Sequence, residues 1–470
     1  MSNTTNNGSR RGIGPEIRAA RWALRHPGMV AMPTMLGTGE LELLTHFGPT
    51  TAGSVTGALA LGVTAWYRGH PDSFDTIAAP RIRAAWRRWA GPYMGVKWRD
   101  LCDATDLAKE HRRKGITMYP RVLKVQAFSP HVDLVHIAPA KGQSIHAFES
   151  RLKDITAGLK AQRVALEPLE RGRFVMIVQR TEPFTEVIPA PEMPQYSKEV
   201  DPARLYVGED EFGNDWTESL VGTSSFLLVA GAVGSGKNSI PLALLRGLAP
   251  MIRDGLCKVW IIDPKQLEFA ALKPITVNGR AYATVEQGGD GSECLELLDR
   301  YIDDMERTQR RIMEKGVRSV PISEEFPLNL LIVDEVASLV AFTEDSSARG
   351  INAKLARIAS MGRTTHHSMV VTTVDPGKDV IEFRDLFPSR ICLRVSAATQ
   401  PDMVLGEDAR ERGAVADEIP LGKEYIGIGY AQGEKTKHPR RVRAAYTSDR
   451  DMHELIEFIT GGRGHLRSVA

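Results

Sequence analysis

Four cysteines in 470 residues are too few for a disulfide scaffold, and Cys102, Cys257, Cys294 and Cys392 form no CxxC pair. No His/Cys spacing resembles a zinc site, and this usage fits a reducing compartment. Net charge is scarce as well. Sixty Lys and Arg face 58 Asp and Glu, leaving +2. Uniform attraction to polyanions is thereby excluded, and any basic surface must come from local clusters. Such clusters occur at Arg10/Arg11, Arg81–Arg88, Arg112–Lys114 and Lys435–Arg443. The chain has no internal repeat, and its first residues lack the pattern of a cleavable signal. At 42% hydrophobic and 25% charged residues it can bury a sizeable core, and its length suggests two to four domains.

The polar, basic residues 1–25 read as disordered. Between Glu42 and Arg68 there is no charged residue, so Leu43–Tyr67 is long enough for a membrane helix of about 20 residues. The run ends in Trp66-Tyr67-Arg68, an interfacial aromatic pair followed by a cation. With the shorter uncharged run His26–Gly39, and arginines on both outer flanks, residues 26–70 read as a membrane anchor with cytoplasmic ends. Pro33 and Pro49 interrupt it, so a buried hydrophobic helix is the alternative. Residues 71–119, rich in Arg and Trp, read as a basic helical linker against a membrane surface or another chain.

Residues 120–182 predict a small α+β domain. Arg121–Phe128 and Val132–Ala138 alternate apolar and polar residues. Ser144–Gln162 has helical spacing, and Arg163–Leu169 and Arg173–Gln179 return to strand character. A Pro- and Glu-rich linker, 183–204, follows. Over 205–450 buried apolar runs alternate with helical segments. The runs are Ser225–Ala230, Lys258–Asp263, Leu328–Asp334, Met369–Val374, Arg390–Val395 and Tyr425–Tyr430. That pattern predicts an α/β fold with a mostly parallel sheet covered on both faces. Residues 451–470 read as a tail.

The chemistry begins where the first run meets Gly231, Ala232, Val233, Gly234, Ser235, Gly236, Lys237, Asn238 and Ser239, followed by a Leu/Ala-rich helix. Strand, glycine-rich loop and helix are the context of a P-loop that cradles ATP phosphates. Glycines let the backbone wrap the anion, the helix N-terminus adds partial positive charge, and Lys237 reaches the β and γ phosphates. Ser or Thr usually follows the lysine to bind Mg²⁺. Here Asn238 holds that place, so Asn238 or a shifted Ser239 must serve. Leu328–Glu335 is a buried strand ending in two acids, a Walker B pattern. Asp334 would hold the Mg²⁺ shell and Glu335 would polarise the attacking water. Between the two motifs, Val259–Phe269 carries Asp263-Pro264-Lys265 at a strand tip, near the edge where ligands bind in open α/β sheets.

These ordered features resemble the FtsK/SpoIIIE family of DNA-translocating motors. The likeness rests on the P-loop, on Ile262–Phe269, on Leu331–Leu339 and on Pro388–Ser396 with its paired arginines, and spans about residues 120–450. Arg384–Arg390 and Pro401–Gly406 are most similar to actinobacterial, Streptomyces-type Tra proteins of conjugative elements. The resemblance implies a RecA-like P-loop core, ATP and Mg²⁺ as cofactors, and a homo-hexamer threading double-stranded DNA at the cytoplasmic side of the cell membrane. ATP would lie between subunits, with a neighbour's arginine stabilising the transferring phosphoryl group; Arg390 is the first candidate and Arg363 the second. Two features depart from the family. Val374 stands where a polar Gln is common, leaving Thr372 and Thr373 to sense phosphate. About 20 residues follow Arg450, too few for the winged helix some relatives carry. The implied function is an ATP-dependent DNA translocase in plasmid transfer. A non-hydrolysing DNA-anchoring scaffold, a chromosome-segregation motor and a secretion ATPase are the alternatives.

Overall fold

The computed structural model describes residues 61–461 apart from 112–114, 128, 286–290, 343–344 and 434–437, together with the isolated positions 54 and 58. The strands are β1 Lys109–His111, β2 Ile116–Met118, β3 Arg121–Gln126, β4 Val132–Ala138, β5 Arg163–Pro168, β6 Phe174–Gln179, β7 Leu205–Asp210 and β8 Asp215–Glu218. They continue with β9 Phe226–Ala230, β10 Cys257–Ile262, β11 Tyr282–Ala283, β12 Leu328–Val333, β13 His367–Thr373, β14 Ser389–Leu393, β15 Ile428–Gln432 and β16 Arg440–Ala444. The helices used below are α1 Ala79–Trp89, α2 Gly95–Ala104, α3 His146–Glu149, α4 Leu152–Gly158, α5 Ser239–Arg253, α6 Ser292–Glu314, α7 Val336–Phe342, α8 Asp345–Met361, α9 Gln400–Leu405 and α10 Asp449–Thr460.

The chain forms two compact units, residues 1–100 with 124–128, and 101–123 with 129–470. Much of the anchor expected at 26–70 lies outside the described residues. Among the described residues no helix is long and apolar enough to cross a membrane. Residues 61–69 are helical and exposed, and α1 and α2 follow. The segment expected to be wholly helical over 71–119 instead ends in an antiparallel hairpin, β1 and β2, with Lys109 opposite Met118. Ile116-Thr117 supplies the β-branched pair that favours the extended form there.

The second unit holds a ten-stranded sheet in the order β11-β10-β12-β13-β9-β14-β15-β16-β7-β8. From β11 to β14 every pairing is parallel, and from β14 to β8 every pairing is antiparallel. The parallel strands are apolar on both faces because helices cover both. Leu227, Val229, Val259, Ile261, Leu330 and Ile332 pack into one core with α5 and α10. Their neighbours Phe226, Leu228, Trp260, Ile262, Leu331 and Val333 pack into another, with α6 and α8. Period-two alternation thus divides one continuous apolar run between two cores. β13 lies between β9 and β12, so a third strand separates the P-loop strand from the strand ending in Asp334.

A smaller sheet has the order β3-β4-β6-β5. The helix expected over 144–162 is two short helices, α3 and α4. Arg151 between them leaves helical geometry at φ −121°, ψ 13°. Buried Arg163 on β5 meets Glu211 beyond β7 at 3.0 Å and stacks over the Tyr430 ring. Residues 183–204 are pinned rather than loose. Arg443 donates to the Phe184 and Glu186 carbonyls, and buried Arg246 on α5 donates to the Pro191 carbonyl. The expected C-terminal tail begins as α10, capped by Ser448 and held by Arg246 bonding the Asp451 carbonyl and Glu454.

Candidate nucleotide site

Parallel strands bring their carboxyl ends to one sheet edge, and all the Walker-type residues sit there. Beyond β9 the chain turns through Gly234 at φ +70° and Gly236 at φ +93°, which only glycine adopts without strain. A Cβ at Gly231 would approach the Ser235 Oγ to 2.5 Å, and one at Gly236 would meet the Gly427 nitrogen at 3.0 Å. The loop is fixed from outside. Gly231 N–H donates to the Thr373 carbonyl, Ala232 N–H to the Arg394 carbonyl, and Gly427 N–H to the Ser235 carbonyl. Among the described residues, no carbonyl accepts from the amides of Gly234, Gly236, Lys237 or Asn238. Those N–H groups, with the first turn of α5, form the cradle an anion requires. Val233 at its rim is 80% exposed.

Lys237 Nζ donates to the Gly231 carbonyl at 3.0 Å and stands 3.7 Å from Glu335 Oε2. Burial lowers the ammonium's pKa, while Glu335 and Asp334 oppose that shift. Glu335 adopts φ +46°, a left-handed conformation costly for a side chain of this kind. Two bonds hold it. Its amide donates to Thr372 Oγ1 at 3.0 Å, and its Oε1 accepts from the Val374 amide at 2.8 Å. The Thr372 hydroxyl in turn donates to Asp334 Oδ1 at 2.7 Å. Burial pushes the Asp334 carboxyl up to about 6; Asp263 and Glu335 add to the rise, and Thr372 and Lys237 oppose it.

Lys237, Asp334, Glu335 and the Gly231–Ser239 loop are therefore brought together. The donor set fits a nucleotide with Mg²⁺. Asn238 Oδ1 is buried without a hydrogen-bond partner, as is Ser235 Oγ, and Asp334 has one oxygen outside the Thr372 bond. Asn238 holds the N-cap position of α5 with no side-chain capping bond, and Ser239 is the first residue of the helix. Val374, apolar where Gln was expected, still contributes through its backbone amide. Thr373 is turned away, its hydroxyl on the Asp375 carbonyl.

The two expected arginines are elsewhere. Arg390 donates to the carbonyls of Phe387, Val404 and Asp385 and stands 3.8 Å from the Asp385 carboxylate. Within its own chain it is a structural residue. Arg363 is exposed before β13, over the ring of Phe226 at the amino end of β9, the sheet edge opposite the P-loop. Sequence reasoning missed Arg394, whose Nη2 donates to the Val233 carbonyl at 3.1 Å. It is the second of the paired arginines in Pro388–Ser396, and that pairing was the available signal.

Residues 188–327 match the FtsK/SpoIIIE family model, a span that includes the P-loop and Asp263-Pro264-Lys265 and ends before Asp334. The chain is 25% identical over 383 residues to the DNA translocase FtsK of Sporosarcina ureae, covering 77% of this chain and 46% of that protein. To the DNA translocase FtsK of Lactiplantibacillus plantarum it is 23% identical, covering 72% and 42%. The chain thus spans less than half the length of these curated relatives. Among solved structures, the pCW3 conjugation coupling protein TcpA with ATPγS aligns at a TM-score of 0.49 and 18% identity, over 78% of this chain and 98% of that one. EssC (ATPases 2 and 3) of Geobacillus thermodenitrificans aligns at 0.46 and 14%, over 60% and 52%.

Proposed function

We propose that this chain is an ATPase that drives double-stranded DNA, of the FtsK/SpoIIIE kind and close to Streptomyces-type Tra proteins, in plasmid transfer at the cytoplasmic side of the cell membrane. The working form is a homo-hexamer with the nucleotide at subunit boundaries. The reading is supported above all by the Lys237–Glu335–Thr372–Asp334 chain of contacts at the mouth of the P-loop. Lys237 binds β and γ phosphates, and the loop amides hold them in place. Asp334, with Asn238 or Ser239, would hold Mg²⁺, which would supply charge neutralisation at the phosphate oxygens. Glu335 orients the attacking water and accepts its proton, with Oε1 held by the Val374 amide. Before nucleotide arrives, Lys237 faces Glu335 Oε2; phosphate draws the ammonium away and turns that oxygen to the water. The arginine acting in trans is Arg390, once released from its own carbonyls, with Arg363 as the second candidate.

Steady-state ATPase rates with and without duplex DNA test this. Wild type is expected to hydrolyse ATP faster with DNA. Lys237→Ala should fall to background, and Glu335→Gln should bind nucleotide but turn over about 10²-fold slower or less. One shared background rate for all three would sink the motor reading. It would favour the DNA-anchoring scaffold, to which Asn238 in the metal position points. Hydrolysis indifferent to duplex DNA would favour a secretion ATPase.

A further inference from the structure

Helix α1 carries an exposed face that the nucleotide site does not use. Ile82 and Trp86, one turn apart, are 55% and 64% exposed. Arg81 flanks this stripe on one side, and Arg83 and Arg87, partly buried and engaged within the chain, lie on the other. Arg81 is exposed, with one Nη on the Ile77 carbonyl. Residues 68–89 contain five arginines against Asp72 and Asp75, with no Lys or Glu. An apolar stripe bordered by cations on both sides, on a short helix rich in arginine, has the chemistry of a helix lying in a bilayer interface. Tryptophan suits that depth, with its ring in the acyl boundary and its N–H among headgroups.

We propose that α1 lies flat on an anionic phospholipid surface, Ile82 and Trp86 entering the headgroup layer and the exposed Arg81 meeting lipid phosphate. Charge complementarity selects the anionic lipid, and the apolar pair selects a bilayer over a nucleic acid. Duplex DNA would take the guanidinium groups but would leave Ile82 and Trp86 in water. At eleven residues the helix is too short to span a bilayer and binds it reversibly. The inference depends neither on ATP hydrolysis nor on whether residues 26–67 cross a membrane.

All four cysteines are buried, so an Ile82→Cys variant of the full chain takes a thiol-directed, polarity-sensitive fluorophore at one exposed place. Phosphatidylglycerol vesicles are expected to shift its emission to the blue, and phosphatidylcholine vesicles to leave it unchanged. Adding Arg81→Gln should weaken the phosphatidylglycerol response roughly fivefold. Trp86→Ser should weaken it further, with thermal unfolding unchanged. Emission indifferent to phosphatidylglycerol, or shifted equally by both lipids, overturns the proposal. So does a shift produced by duplex DNA without lipid.

Discussion

Two buried aspartates end neighbouring parallel strands at the same sheet edge, and the fold treats them in opposite ways. Asp263, after β10, is saturated from its own surroundings. Its Oδ1 accepts from the Gln266 amide, and its Oδ2 accepts from the Phe269 amide and the Tyr282 hydroxyl. Asp334, after β12, accepts a single side-chain donor, Thr372, and burial raises its pKa to about 6. The first carboxylate is stabilised by its hydrogen bonds and shapes a loop. The second is left short of donors in a buried place, a condition that favours a cation beside it. Similar strand endings thus serve different ends, and the number of donors separates them.

Removing Asp263 should break this contrast most severely. Asp263→Ala leaves the buried Phe269 amide and the part-buried Tyr282 hydroxyl without their acceptor, while the Gln266 amide keeps the residue 263 carbonyl. Unsatisfied buried groups cost about 1–3 kcal/mol each. Urea unfolding is expected to show a loss of about 3 kcal/mol or more. The exposed stretch Lys265–Glu268 should also become open to proteolysis. A loss under about 1 kcal/mol would mean that the loop is held by something other than this carboxylate.

Much of this arrangement was legible in the sequence. The apolar runs fall on β9, β10, β12, β13, β14 and β15 within a few residues, because a strand covered on both faces must be apolar throughout. The glycine-rich loop and the acids after β12 carry their chemistry in residue type and order. Contacts between distant segments were not legible. Arg246 binding Pro191 and Asp451, and Arg443 binding Phe184 and Glu186, hold stretches that read as linker and tail, and nothing local in 183–204 announces it. β7, β8 and β16 were missed for a related reason. Leu205–Asp210 and Arg440–Ala444 are short and carry charges, and they become strands by pairing with each other. The carbonyls that hold Arg390 within its own chain were likewise not legible, because they are set by the turn at 384–387 and by α9.

Asp334 yields the next prediction, measured without metal or nucleotide. Its native pKa, about 6, lies above the ordinary 3.8, so the folded form holds its proton more tightly than the unfolded chain. Stability is then greatest below about pH 4 for this group and falls as pH rises through about 6. Asp334→Asn removes that penalty and keeps an oxygen to accept from Thr372. In EDTA at pH 7.5 the variant should be more stable than wild type by about 1–3 kcal/mol, with the difference vanishing near pH 4. A variant less stable at pH 7.5 would show that Lys237 and Thr372 already compensate the buried charge, and the contrast with Asp263 would disappear.

The smallest effect tests the saturated side one donor at a time. Tyr282 opens β11 beside β10, and its hydroxyl reaches Asp263 Oδ2 at 2.8 Å. Tyr282→Phe removes one donor and leaves the Phe269 amide on the same oxygen, so the carboxylate stays bonded. The expected loss is about 1 kcal/mol, within the range for a single hydrogen bond. Because Asp263 also raises the charge cost at Asp334, weakening its anchorage without moving it should leave nucleotide affinity unchanged. Isothermal titration with an ATP analogue checks this. A fall in affinity larger than about threefold would mean that the Asp263 loop reaches the nucleotide, and that the two aspartates act as one site.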